Sequence, residues 1–65
     1  MLSEKDIAVD YYERLAEAVD YYGIAQYVAQ AEAKEWMIEK LVDMGYEKRK
    51  ASVMLLKAIN KYKEM

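Results

Sequence analysis

The chain contains no cysteine, no histidine, no proline and no phenylalanine, and only two glycines among its 65 residues. Without cysteine it can form no disulfide and offers no thiolate as nucleophile or ligand. Without histidine it lacks the commonest metal ligand and the usual general base. No apolar run approaches the roughly 18–20 residues that span a bilayer. The opening Met1-Leu2-Ser3-Glu4-Lys5-Asp6 has neither the basic stretch nor the apolar core of a secretory signal. The expectations are a cytoplasmic location, no membrane association, no cofactor and no metal.

What is present favours helix. Ala, Glu, Lys, Leu and Met, all strong helix formers, fill much of the chain. Sixty-five residues make one domain over 1–65, near the lower size at which a single core supports a fold. Gly23 and Gly45 divide it into three segments. The predicted fold class is all-α, a three-helix bundle or helical hairpin array with helices at about 4–22, 24–44 and 47–63, completed by dimerisation.

In the first segment Ser3 and Asp6 are spaced to cap a helix, and Leu2 and Ile7 to staple it. At about 100° per residue, Ile7, Ala8, Tyr11, Tyr12, Leu15, Ala18, Val19 and Tyr22 share an apolar arc. The second segment puts Ile24, Tyr27, Val28, Ala31, Ile38, Leu41 and Val42 on its main face, with Ala25, Ala29, Ala33 and Trp36 on the far side. The third gathers Ala51, Met54, Leu55, Ala58, Ile59 and Tyr62. The apolar arc jumps by roughly 140° across Gly23 on a continuous helix, which favours a tight turn there over one helix from 4 to 44. Met44-Gly45-Tyr46 reads as a helix stop.

Three features bear on function. Asp6, Asp10, Glu13, Glu17 and Asp20 line the side of helix 1 opposite its apolar arc, with Tyr21 beside them, and form the candidate partner-binding face. They are either a solvated face, half paired with Lys50, Lys57 and Lys61 of the same or a neighbouring chain, or a docking surface for a basic partner. The far side of helix 2, Ala25, Ala29, Ala33 and Trp36, is the candidate self-association face, because a three-helix monomer would bury only one arc of its middle helix. Seven Tyr and one Trp, each ring with a polar tip, suit a core edge or an interface.

Charge is divided unevenly along the chain. Residues 1–22 carry six acids and two bases, residues 23–44 four and two, and residues 45–65 two acids and six bases. The basic third segment, with Lys48, Arg49, Lys50, Lys57, Lys61 and Lys63, could meet phosphates. The overall charge of −2 and the absence of an Arg, Asn and Gln base-reading set argue against nucleic acid.

Ile38-x-x-Leu41-x-x-Met44-Gly45-Tyr46, followed by Ala51 and Leu55, resembles the first two helices of a ubiquitin-associated domain over residues 36–58. That resemblance implies that Met44, Gly45 and Tyr46 contact a ubiquitin-like partner. The family's third helix, which builds part of its partner surface, would fall beyond Met65.

Enzymatic activity is not expected, since neither Ser3 nor Ser52 has a histidine to activate it. The expected function is protein–protein interaction, structural, adaptor or regulatory, in a homo-oligomer or with a partner that carries a basic surface. The alternatives are an acidic inhibitor of phage or viral type occupying a basic, nucleic-acid-binding site on a partner protein, a ubiquitin-associated-like binder, and a DNA-binding regulator.

Overall fold

A capping box starts the first helix in the computed structural model, which describes residues 2–63. Met1, Glu64 and Met65, part of the predicted domain, lie outside the described residues. The Ser3 hydroxyl accepts from the Asp6 N–H at 3.2 Å, and the Asp6 carboxylate accepts from the Ser3 N–H at 3.2 Å. Asp thus holds the place usually taken by Glu or Gln. Leu2 packs against the core cluster that contains Ile7, as a hydrophobic staple requires. The helix α1 runs from Glu4 to Ala16.

A π-helical turn, Glu17–Tyr21, continues α1. Tyr22 donates to the Glu17 carbonyl and Ile24 to the Ala18 carbonyl, at 3.3 and 3.0 Å. Gly23 then takes φ +66°, which an L side chain resists and glycine accepts. The chain turns here, and a continuous helix over 4–44 is excluded. The turn also moves Tyr22. The wider i→i+5 closure rotates less than 100° per residue, so Tyr22 leaves the apolar arc and stands exposed.

The second helix, α2 (Gln26–Asp43), begins two residues later than expected and has no side-chain cap at Ala25. It ends in a Schellman motif. Tyr46 donates to the Leu41 carbonyl at 3.2 Å and Gly45 to the Val42 carbonyl at 2.9 Å, with Gly45 at φ +107°. Tyr46 packs back on the core cluster that holds Leu41, the apolar contact that accompanies this motif. The third helix, α3 (Lys48–Tyr62), completes the chain. Its last turns lie against α1, where Tyr12 donates to the Ile59 carbonyl at 3.1 Å and Lys61 reaches Glu4 at 3.5 Å.

The three helices close one core, lined by Ile7, Ala8 and Tyr11 of α1, Ala33, Met37 and Leu41 of α2, and Ala51, Leu55 and Ala58 of α3. Among the described residues, Ile7, Met37, Leu41 and Leu55 are the large side chains fully removed from solvent. The alanines between them let the helix backbones approach closely. The radius of gyration, 11.3 Å, matches the roughly 11 Å of a compact chain of this length. The described residues are all helix, turn and loop, with no strand.

The orientation of α2 corrects the sequence-based expectation. Its buried residues are Ala29, Ala33, Met37 and Leu41, an i, i+4 ridge, while Tyr27, Val28, Ala31 and Val42 of the expected main face are exposed. Ala29 and Ala33, assigned to self-association, are 0% and 1% exposed in the single chain and offer nothing to a second copy. Ala25 is exposed at the helix start, and Trp36 packs against the core. Two small residues, Ala29 and Ala33, make up the first half of this ridge, while Met37 and Leu41 fill its second half against α1 and α3. The bulkier positions are interrupted by Glu35, which projects between Val28 and Val42 and would be stranded if that face turned inward.

Candidate contact surfaces

The acidic stripe of α1 is largely drawn into the fold. Asp6 caps the helix, and Asp10 accepts from Lys40 Nζ at 2.8 Å. Glu17 lies 3.9 Å from Arg14, whose guanidinium also donates to Glu32 at 2.9 Å. The basic partners of Asp10 and Glu17 therefore come from α2 and from α1 itself. Of the three lysines expected to pair, only Lys61 does so among the described residues, with Glu4. These half-exposed pairs are each worth about 0.2–1 kcal/mol. Glu13 and Asp20 form no ion pair among the described residues and are exposed.

Trp36 sits on the seam between α1 and α2. The Arg14 guanidinium lies 5.3 Å and the Lys40 ammonium 5.2 Å from its ring, two cation–π contacts that hold both cations over the indole. Stacked in this way, Arg14 leaves its Nε buried without a hydrogen-bond partner. This placement puts Trp36 between α1 and α2 of one molecule, where it is half-buried.

The two tyrosine doublets divide by environment. Tyr11 is buried, and its ring stands edge-on to Tyr12 with centroids 5.0 Å apart. Burial raises the Tyr11 phenol above its ordinary pKa, with a smaller contribution from Tyr12, and burial raises Tyr12 as well. The second doublet is outside the core. Tyr21 is 78% exposed, Tyr22 63% and Tyr27 77%, all within seven residues around the Gly23 turn. Tyr21 and Tyr22 support each other edge-on at 4.8 Å. Sequence reasoning anticipated Tyr21 at the surface but missed Tyr22 and Tyr27, because a period of 3.6 does not foresee a π turn or the rotation of α2 that exposes Tyr27 while keeping Leu41 buried.

A second exposed apolar group lies on α3. Val53 and Leu56, one turn apart, point away from the core that Ala51, Leu55 and Ala58 occupy. Arg49, Lys50 and Lys57 flank them, exposed and outside every ion pair among the described residues. Around the α2–α3 loop, Met44 is half exposed, Tyr46 half buried, and Ile38, Val42 and Lys48 line a shallow groove. Among the described residues no group of three or more Asp or Glu side chains is placed to hold a metal, and no helix is long and apolar enough to cross a membrane.

No protein-family model, curated protein or solved structure matches the chain.

Proposed function

We propose that this protein acts by binding another protein, or further copies of itself, and catalyses no reaction. The observation that carries this reading is the corner at Gly23, where Tyr21, Tyr22 and Tyr27 stand in solvent although the core is closed without them. Burying a tyrosine against a partner removes a large apolar ring from water while its hydroxyl keeps a hydrogen bond, which is why such rings concentrate at contact surfaces. Asp20, adjacent to Tyr21, and Glu13, two turns earlier on the same side of α1, are both exposed and favour a partner with a basic face. Of the proposed stripe, Glu13, Asp20 and Tyr21 remain fully available to that partner, whereas Asp6 and Asp10 serve the fold.

Affinity capture from the native host, run in parallel with wild type and with Tyr21→Ser/Tyr22→Ser/Tyr27→Ser, tests the reading. All three positions are exposed, so the variant keeps its helicity and melting temperature while partner recovery is lost. Equal recovery by both chains would place the contact elsewhere on the molecule.

A further inference from the structure

We infer that the occupant of the tyrosine corner is the outer face of α3 from a second copy, so that molecules associate head to tail. This rests on the contact reading above and names its partner. The two surfaces complement each other. One presents Tyr21 and Tyr22, with Tyr27 across the Gly23 turn, next to the exposed Asp20 and two helical turns along from the exposed Glu13, and the other presents Val53 and Leu56 beside Arg49, Lys50 and Lys57. Val53 is 47% and Leu56 51% exposed, so each surface has an apolar centre with a charged rim.

The charges are not balanced within one molecule. The chain is acidic through residues 1–44 and basic through residues 45–65, yet Lys61–Glu4 is the one ion pair between α1 and α3 among the described residues. Since Ala51, Leu55 and Ala58 hold the inner side of α3 against α1 and α2, Val53 and Leu56 face outward and cannot fold back onto the corner. A second molecule can bring them there. Arg49 and the two lysines would then meet both carboxylates and the faces of tyrosine rings.

Charge also selects the symmetry. Pairing α3 with α3 would set Arg49, Lys50 and Lys57 against their own copies, and pairing corner with corner would oppose Asp20 and Glu13 to theirs. Like charges held together disfavour both. The remaining arrangement uses two different surfaces, leaves one of each free after every pairing, and can therefore extend into a ring or an open chain. Because each apolar centre is small, the association is weak and sensitive to salt.

Sedimentation of two variants, alone and mixed, provides the test. Val53→Glu/Leu56→Glu loses the α3 face, and Tyr21→Ser/Tyr27→Ser loses the corner. Wild-type mass rises with concentration at low salt and falls back as salt is added. Each variant alone stays monomeric, and the equimolar mixture forms a one-to-one complex from the two surviving faces. Circular dichroism verifies that both fold, and Leu56→Lys, a good helix former on an exposed position, replaces the double change if it does not. Self-association by the α3 variant alone, a mixture that stays monomeric, or a wild type that remains monomeric at millimolar concentration overturns the inference. If that monomeric wild type still loses a foreign partner when the corner tyrosines are removed, only the head-to-tail inference falls. If those tyrosines affect neither self-association nor any partner, the contact reading falls with it.

Discussion

Replacing Ala33 with Leu tests which side of α2 faces the core. Ala33 is 1% exposed within the ridge that α1 and α3 share, so the added atoms have no solvent to enter. Inserting carbons into a filled site costs about 1–3 kcal/mol through strained rotamers and displaced backbone. A chain of this length has roughly 3–10 kcal/mol of total stability, so the loss is a large fraction of it. For a small domain each kcal/mol moves the midpoint by about 4–8 °C, which puts the Ala33→Leu melt roughly 5–20 °C below wild type. Ala31→Leu is the control. It is the same chemical change about 200° around the helix, on a solvent-exposed position, and should alter stability by less than about 0.5 kcal/mol. Thermal and urea melts followed by circular dichroism read both variants. If Ala31→Leu destabilises while Ala33→Leu is silent, α2 is rotated by half a turn and the burial pattern above is wrong.

Gly45→Ala should destabilise by about 1–2 kcal/mol although a methyl group there meets open space, because φ +107° strains an L residue; a urea midpoint equal to wild type refutes this. Ser3→Ala removes the cap that holds the Asp6 N–H and should cost about 1 kcal/mol, with faster amide exchange in the first turn of α1 as the local signature. The raised phenol pKa values of Tyr11 and Tyr12 mean that the folded chain keeps those protons more tightly than the unfolded chain does. That contribution is fully present below the ordinary value of 10.0 and is lost as pH rises through it and on through the folded values. Urea midpoints should fall from about pH 8 to about pH 11, and Tyr12→Phe should flatten the decline while costing stability at neutral pH through the lost bond to Ile59. A midpoint independent of pH over that interval contradicts the assignment.

Local chemistry was enough to read the helix class, the capping box at Ser3 and the stop at Gly45. Each depends on residues within one turn of one another: a hydroxyl three positions before a carboxylate, or a glycine after the last apolar residue. The inward face of α3 was equally legible because Ala51, Leu55 and Ala58 lie on an arc that its lysines flank. The tyrosines of the second doublet were half legible. Adjacent side chains diverge by about 100°, so both could not be inward, but which ones stood in solvent depended on the π turn.

What only the tertiary structure decided is the side of α2 that is buried and the fate of the charges. An isolated amphipathic pattern ranks faces by bulk, whereas a helix packed on two neighbours is ranked by how closely they can approach. Alanines at 29 and 33 won for that reason, and Met37, on neither expected face, filled the space between Ala33 and Leu41. The sequence did contain one sign of it, the charge of Glu35 midway along the bulkier face. The stripe on α1 could not be divided into capping, paired and free carboxylates from spacing alone, since Lys40 lies thirty residues from Asp10. By itself the sequence determined three helices, the start of α1 and the stop at Gly45 through short-range hydrogen bonding. Only packing determined that Ala29 and Ala33 are core, and that Tyr21, Tyr22 and Tyr27 around the Gly23 turn are exposed.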